Sequence, residues 1–555
     1  MPGAKAYERG LHAMETGDAA TAKAAFQQAV RENPGNADAQ NALGQLLLQQ
    51  GNVDGAIVHL RAVTRLKPAL AIGHLYLGQA LSQKGSLDAA IAEFRATVRL
   101  APQQPQAHEA LARALSAQKK TGEAIAEMKK AAELSGDQPE LRDELGSLLA
   151  QIKDYPGSET EFRAALSSNP QYEPALLHLG VALLNEGKQA EAKPLLQQAV
   201  QIKPDDGLAA YYLGGILESE QDTSGALGLY QRAEKVIPDF LPLRTRLGLL
   251  AQKAGDMPTA IASFRVVVAA QPNDPAAHNN LGLALMQSVQ ADEAIHEFET
   301  AIKLAPSDSS YRNNLGAIYL QKADFDAAVQ QYKQGLAISP NNAELHYNLG
   351  LAYKLKDDLP AATEELQKTV QLDPKLPDPH YTLGIIFWQT GKFDDAAREL
   401  KQVVSLKPDY AEAFYTLGTV YKQAGDLPAA SEALRKAIQL QPDFAGAHTV
   451  LASVLRQQGD TAGAESESKL GAEMVQQKMT AQTATFATNS GSKLMSAGDL
   501  DGAIAQFEAA IKADSTFAAA HQQLAIALER KGDKTRAGQE LEIAKQLQST
   551  RRQSR

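Results

Sequence analysis

The chain of 555 residues contains no cysteine and only one tryptophan. The lack of cysteine excludes disulfides, thiolate metal sites and a cysteine nucleophile. No apolar run approaches the roughly 20 residues of a membrane-spanning helix, so we expect no membrane insertion. Acidic residues outnumber basic ones, 65 to 55, which gives a formal net charge of −10. This balance argues against nucleic acid as a partner, because binding to the phosphate backbone needs a basic surface.

The two chain ends carry little targeting information. The first residues, Met-Pro-Gly-Ala-Lys, lack the apolar core of a secretory signal. As the sequence stands we expect a soluble cytoplasmic protein, or a periplasmic or extracellular one if a leader was removed. The one basic cluster, Arg551, Arg552 and Arg555, is interpreted as a solvated chain end.

Motifs of catalytic and metal sites are missing as well. The chain has no G-x-S-x-G, G-x-x-x-x-G-K-[ST] or H-E-x-x-H sequence. Seven of the eleven histidines lie at least 34 residues from one another: His74, His108, His278, His346, His380, His448 and His521. No pair has the spacing of a metal site, so these histidines are interpreted as semi-buried packing residues. We therefore expect no enzymatic activity, no metal and no cofactor.

What the sequence does contain is a block of 34 residues that recurs sixteen times. Blocks 1–14 occupy residues 3–478, and blocks 15 and 16 begin at Ala484 and Ala518. Position 7 is leucine in thirteen successive blocks, from Leu43 to Leu451, and position 8 is always Gly or Ala. Apolar residues three or four apart, a polar interruption and an exit proline predict two helices joined by a short turn. A fixed period of this length is typical of a solenoid.

This pattern resembles the tetratricopeptide repeat family. The family signature of Leu-Gly, then an aromatic residue, then Ala and Pro appears in block 11 at Leu349, Gly350, Tyr353, Ala362 and Pro374. The resemblance covers essentially the whole chain. It implies an all-α fold, a right-handed superhelical solenoid of about sixteen helix-turn-helix repeats with a concave inner groove.

One irregularity predicts the domain organisation. Block 14 lacks its exit proline and is followed by five extra residues, 479–483. We expect a fourteen-repeat solenoid at 3–478, a second helix of block 14 that is extended across the insertion, and a two-repeat lobe at 484–551. The alternative is a tolerated insertion in an otherwise regular stack.

The family resemblance implies that positions 2, 5, 6, 9, 12 and 13 of each first helix face the groove. In blocks 8–13 these positions provide a candidate peptide-binding site of amide, aromatic and cationic side chains: Arg246, Asn279, Asn280, Asn313, Asn314, Tyr347, Asn348, Lys354, Tyr381, Trp388, Tyr415 and Lys422. An asparagine can satisfy both the N–H and the C=O of an extended peptide, and Tyr and Trp add rigid contact area.

The asparagines of three successive blocks are similar to the asparagine ladder of the O-linked N-acetylglucosamine transferase family. No glycosyltransferase region accompanies them here, so that activity is not implied. The alternative is ordinary groove surface, in which asparagine is only a soluble choice on a helix face.

The sequence therefore predicts a non-catalytic scaffold that binds an extended segment of a protein partner in its groove. A second possibility is a self-assembling structural protein, because block 16 ends in Leu541, Ala544 and Leu547 with no further helix to cover them. Stacking of such ends would give an oligomer or a filament. A third possibility is an adaptor subunit of an envelope or secretion machine.

Overall fold

The computed structural model describes residues 2–136 and 138–553, without the side chains of residues 550–553. These described residues form 31 α-helices and no strand. Contacts divide the chain into two compact units, residues 1–290 and 291–555, and each unit is described by itself. No helix in the described part of the chain combines the length and the hydrophobicity needed to cross a bilayer.

The first unit contains helices α1–α17. Their bounds are Ala4–Glu15, Ala19–Glu32, Ala37–Gln49, Val53–Leu66, Ala71–Gln83, Leu87–Leu100, Pro105–Ala117, Thr121–Leu134, Pro139–Gln151, Tyr155–Ser168, Glu173–Asn185, Gln189–Ile202, Gly207–Ser219, Thr223–Val236, Leu241–Ala254, Met257–Ala270 and Pro275–Gln287.

The second unit contains helices α18–α31. Their bounds are Ala291–Leu304, Ser309–Gln321, Phe325–Ile338, Ala343–Leu355, Leu359–Leu372, Pro377–Gln389, Phe393–Leu406, Ala411–Ala424, Leu427–Leu440, Ala445–Gln458, Thr461–Ser496, Leu500–Ala513, Ala518–Lys531 and Lys534–Gln553.

The predicted all-α repeat architecture is confirmed, because each block has a first and a second helical segment, with the second segment of block 14 and the first of block 15 joined in one helix, α28. The turn between them depends on position 15, which has a positive φ in all sixteen blocks. Ten blocks place glycine there, and six place a residue with a Cβ: Lys119, Lys153, Gln221, Val289, Ala323 and Asp357. Position 16 then caps the second helix in most blocks. In block 1, for example, the Asp18 carboxylate accepts the Thr21 backbone N–H at 3.0 Å, and such a cap contributes about 1 kcal/mol.

Close packing within a block explains why position 8 is always small. In block 7, a Cβ on Gly214 would lie 2.6 Å from Cε1 of Tyr230, the aromatic residue at position 24. In block 10, the same relation holds between Gly316 and Tyr332. A larger residue at position 8 would force the two helices apart, and strained packing of this kind destabilises a core.

Within each unit every helix packs against the next helix in the chain. First helices of several successive blocks also touch, as α9 and α11 do in the first unit and α19 and α21 do in the second. Side chains on the first helices of neighbouring repeats can therefore meet. This neighbour relation positions the candidate site.

The helix α28, Thr461–Ser496, is 36 residues long and serves two blocks. Its Ala464 packs into the cluster of α27, and its Gly491 lies against Phe507 of α29. Residues 479–483 lie inside this continuous helix. The sequence predicted an extension across the insertion, and the helix continues beyond it through the first helix of block 15. The separate two-repeat lobe at 484–551 stays a prediction.

Candidate peptide-binding surface

The residues of the candidate site all lie on first helices, but they fall into two units. Arg246, Asn279 and Asn280 belong to the first unit, on α15 and α17, and the other nine belong to the second. Arg246 is exposed and the other eleven are half-buried. The predicted three-block asparagine ladder is therefore divided between the units, with Asn280 in one and Asn314 and Asn348 in the other.

In the second unit, side chains at position 5 bond to position 6 of the next block. The Asn348 side chain donates from Nδ2 to Oδ1 of Asn313 at 2.8 Å, and Asn313 donates from its own Nδ2 to Glu344 at 2.9 Å. Two blocks further on, the hydroxyls of Tyr381 and Thr416 lie 3.3 Å apart. The second-unit residues of the candidate site therefore form a stripe along the first helices from α19 to α25, and its side chains join neighbouring repeats. A primary amide has two N–H donors and two acceptor lone pairs, so these bonds do not use the full hydrogen-bonding capacity of Asn313 and Asn348.

The only tryptophan of the chain, Trp388 at position 12, makes a similar bond to the next block about two turns further along the helix. The indole Nε1–H of Trp388 donates to Oε1 of Gln423 in the next block at 2.7 Å. This bond holds the half-buried ring in a fixed orientation on the first-helix face. A fixed aromatic ring loses little entropy when it contacts a partner.

Tyr332 is the aromatic residue at position 24 of block 10, with its ring against Gly316 of α19. The side chain is fully buried, and its hydroxyl has no hydrogen-bond partner. Burial, with a smaller effect of the Glu344 charge, raises the pKa of Tyr332 above its usual range. A buried hydroxyl without a partner costs about 1–3 kcal/mol, so this group is an energetic defect in the block.

The first unit contains a cavity of about 530 Å³ on the first helices of blocks 6–8. It is lined by residues of α11, α13 and α15 with one contribution from α12: Leu184, Asn185, Gln189, Tyr211, Tyr212, Gly215, Ile216, Glu218, Ser219 and Arg246. Most of these residues occupy positions 5, 6, 9, 12 and 13, which the family resemblance assigns to the groove. Of the predicted site residues, only Arg246 lines this cavity.

A polar cluster lies at one side of this cavity. The hydroxyl of Tyr230 donates to Oε2 of Glu218 at 2.7 Å. The guanidinium of Arg246 donates to the same carboxylate oxygen at 3.2 Å and to the Tyr230 hydroxyl at 3.3 Å. Burial, the main cause, raises the pKa of Tyr230, so the phenol stays neutral and remains a donor. The cluster is balanced in charge and fixes the Arg246 side chain.

Aromatic rings form the neighbouring wall. The ring of Tyr211 meets Tyr212 and Phe240 edge-on, with centroids 5.1 Å apart in both pairs. The Arg246 guanidinium carbon lies 5.8 Å from the Tyr211 centroid. Gly215 makes room for this arrangement, because a Cβ there would lie 3.0 Å from Nη1 of Arg246. The sequence signals that could have revealed this site are the adjacent tyrosines and adjacent glycines of block 7.

The seven histidines named in the sequence analysis occupy position 4 of their blocks and form part of a different set of contacts. In block 12, Nδ1 of His380 lies 2.7 Å from Glu399 at position 23, and Nε2 lies 3.1 Å from the carbonyl oxygen of Pro374. Five other histidines make the same two contacts, one with the glutamate at position 23 and one with the backbone carbonyl six residues earlier. They are His74, His108, His346, His448 and His521. The hydrogen bond to Glu399 is the main cause that raises the pKa of His380. These histidines are therefore more than packing residues, since each ties its first helix to the second helix and to the preceding turn.

The family assignment follows from the repeated pattern. A model described as tetratricopeptide repeat matches residues 7–71, 75–139, 144–207, 177–239 and 489–551, which together exceed half of the chain. The chain belongs to the tetratricopeptide repeat family. A second model, described as the C-terminal domain of cilia and flagella-associated protein 70, matches residues 243–486 of this repeat chain. Tetratricopeptide repeat proteins typically mediate protein–protein interactions and are generally non-catalytic.

Several solved repeat structures are similar to this tetratricopeptide repeat chain. Yeast Tom70 is 16% identical, with 76% of this chain and 96% of Tom70 covered and a TM-score of 0.37. MamA is 31% identical, with 30% and 96% covered and a TM-score of 0.29. YrrB, described as a repeat protein with an unusual peptide-binding site, is 24% identical, with 33% and 95% covered and a TM-score of 0.30. No curated protein sequence matches the chain.

Proposed function

We propose that the chain is a non-catalytic interaction scaffold that binds an extended segment of a protein partner on its first-helix faces. The observation that carries this proposal is the cavity of about 530 Å³ in blocks 6–8, in which the tyrosines of block 7 and the Glu218–Arg246 pair converge. Its volume lies within the roughly 300–1,000 Å³ usual for binding pockets. One side chain of the bound segment occupies it as an anchor.

The chemistry of the cavity suits a peptide. Tyr211 and Tyr212 provide a large and rigid contact area at low entropic cost. Glu218 adds acceptors and Arg246 adds donors, so the main-chain N–H and C=O groups of a peptide both find partners. Because Tyr230 and Arg246 already orient the Glu218 carboxylate, little side-chain freedom remains to be lost on binding.

The stripe in the second unit is a further contact region in this proposal. Tyr347, Tyr381 and Tyr415 repeat at position 5, and Lys354 and Lys422 at position 12 add charge. Asn313 and Asn348 already bond to other side chains, so they contribute only their remaining donors and acceptors. We therefore expect this stripe to add affinity and to discriminate little among peptide sequences.

Selection from a random peptide library on the immobilised full chain tests this function. Enriched peptides should bind at least tenfold more weakly to a Tyr212→Ala/Arg246→Ala double variant. A matched control is Arg95→Ala, which removes an arginine on a second helix that pairs with Glu123 at 2.6 Å. This variant should bind the selected peptides as tightly as the unmodified chain does. If no peptide is enriched, or if the double variant binds all selected peptides as well as the unmodified chain does, the proposal is wrong.

Self-association is kept as a second candidate. On α31, Leu541 is 41% exposed and Ile543 is 38% exposed, whereas Ala544 is buried. Such exposed side chains would be covered if two copies met at this helix. Light scattering over a wide concentration range is the test, and a constant monomeric mass would exclude this candidate.

An adaptor role in a larger machine stays a prediction, which the partners that co-purify would test.

A further inference from the structure

The contact between positions 4 and 23 is made by polar pairs in many blocks but not in block 13. In block 12, His380 and Glu399 join the two helices. Block 13 has Phe414 and Ala433 at the same two positions. Neither residue can form the hydrogen bond, and alanine leaves vacant the space that a glutamate side chain takes up elsewhere.

A cavity of about 770 Å³ lies at this place. Its floor is apolar and includes Phe414, Leu417, Tyr421 and Ala433. The rings of Phe414 and Tyr421 are only half-buried, so they have surface left to cover. None of these residues occupies a position of the candidate peptide-binding surface, and the cavity is therefore a separate site.

The rim of the cavity is basic. It carries Lys401, Arg435 and Lys436 against one acid, Glu432. In the described part of the chain no carboxylate forms an ion pair with any of the three cations; Lys401 lies 5.5 Å from the Tyr421 centroid, and Lys436 donates to a glutamine. On a chain with a net charge of −10, this local excess of unpaired positive charge stands out.

The equivalent region of block 11 shows what block 13 has lost. A cavity of about 530 Å³ there is lined by His346 and Glu365, which bond to each other at 2.6 Å. Glu365 also lies 3.8 Å from Lys368. Lys333 lies over Tyr353 there as Lys401 lies over Tyr421 in block 13. The two cavities therefore differ in the acid: block 11 has Glu365 beside His346 and Lys368, whereas block 13 has Ala433 at that position beside Phe414.

We propose that the cavity of block 13 binds an acidic segment of a partner protein, which inserts one bulky apolar side chain between Phe414 and Tyr421. The apolar floor favours removal of such a side chain from water. The basic rim attracts flanking carboxylates and disfavours cationic segments, because complementary charge gives specificity and faster association. Charge and shape together select acidic peptides that contain an aromatic or large aliphatic residue.

Fluorescence anisotropy with synthetic peptides on the full chain tests this site. The probe is a fluorescein-labelled heptapeptide with one central phenylalanine and three aspartates on each side. We expect saturable binding that weakens at least tenfold when the phenylalanine becomes glycine or when the aspartates become serines. A lysine-flanked version should not bind.

A double variant, Phe414→His/Ala433→Glu, would rebuild in block 13 the pair seen in block 12, including a carbonyl acceptor at Pro408. Because the same pair is accommodated in six other described blocks, this variant should fold, and circular dichroism checks that it does. Binding of the probe should fall at least tenfold. Arg435→Glu, an exposed change, should weaken binding without altering the fold and serves as a second, independent variant.

Three results would overturn the proposal. They are the absence of saturable binding of the probe to the unmodified chain, equal binding of the aspartate and serine peptides, and unchanged binding to both the double variant and Arg435→Glu. Because these variants leave the cavity of blocks 6–8 intact, failure here is distinguishable from failure of the peptide-binding surface proposed above.

Discussion

Two tyrosines occupy position 24 in different units of the molecule, and their surroundings differ. Tyr230 and Tyr332 are both fully buried against the position-8 glycine of their own block. The Tyr230 hydroxyl donates to Glu218 at 2.7 Å, whereas the Tyr332 hydroxyl has no partner. The two rings are therefore packed in the same way, but only the Tyr230 hydroxyl has a hydrogen-bond partner.

The difference follows from the variable positions of the repeat. Glu218 is at position 12 of block 7, and the corresponding residue of block 10 is Leu320. Arg246 is at position 6 of the block after Tyr230, and Asn348 is at position 6 of the block after Tyr332. The invariant positions build the helix pair in both units, while positions 6 and 12 determine the chemistry of the surface above it.

The largest effect should come from the packing that both tyrosines share. Gly214→Ala places a methyl group 2.6 Å from the Tyr230 ring and should destabilise the first unit by about 1–3 kcal/mol. Urea unfolding followed by circular dichroism measures the loss. Gly228→Ala is the matched control, since no atom lies near that site; it should stabilise by about 0.5–1 kcal/mol. Equal effects of the two changes would contradict the packing argument.

Removal of each hydroxyl tests the comparison itself. Tyr230→Phe deletes a hydrogen bond to a charged group and should cost about 1.5–3 kcal/mol. Tyr332→Phe deletes a buried hydroxyl without a partner and should stabilise the chain, by at most the roughly 1–3 kcal/mol that such a group costs. Thermal unfolding of the two single variants under identical conditions gives the contrast. Equal losses would mean that Tyr332 has a hydrogen-bond partner in solution.

Position 15 offers a test of the turn that all blocks share. Val289 has φ 62°, in the left-handed region that a β-branched residue rarely adopts, and it is 76% exposed. Val289→Gly should therefore raise the unfolding free energy by about 1 kcal/mol. The converse change, Gly255→Val, should lower it. A loss of stability in Val289→Gly would show that the valine side chain makes contacts that outweigh the backbone strain.

The smallest effect should be a pH dependence from the histidine pairs. The pKa of His380 is raised in the folded chain, mainly by the hydrogen bond to Glu399. The pair therefore contributes its full stabilisation at a pH below the pKa of an unfolded histidine, about 6.5. That stabilisation is lost as the pH rises through the pKa of His380 in the folded chain. As the pH rises, the denaturation midpoint should therefore fall less steeply in the His380→Gln variant than in the unmodified chain. Parallel pH profiles would contradict an ionic pair at this position.

The sequence predicted the scaffold well because the repeat specifies it many times over. Leucine at position 7 and a small residue at position 8 recur in block after block, so the helix pairs followed from periodicity. The proposed site follows from the sequence only in part. The repeat position of Arg246 predicts a groove residue, but the convergence of Tyr211 and Glu218 with it depends on how successive first helices are offset.

Other features of the structure also depend on relations between blocks or between repeat positions, which a pattern read position by position does not contain. The bond between Asn313 and Asn348 joins position 5 of one block to position 6 of the next, a relation that a single-block pattern does not contain. The helix α28 continues through Ser496 because no proline ends it after block 14. Residues 479–483 extend the helix where other blocks have a turn. The partnership of position-4 histidines with position-23 glutamates is present in the sequence as a constant spacing of nineteen residues, which the histidine positions alone do not reveal.

Photo-crosslinking of a selected peptide tests most directly whether the first-helix face of blocks 6–8 is a binding surface. A peptide enriched on the full chain would carry a benzophenone group, and mass spectrometry would locate its attachment points. We expect attachment to α11, α13 and α15, with loss of these products in the Tyr212→Ala/Arg246→Ala variant. Attachment only to second helices, unaffected by that variant, would contradict it.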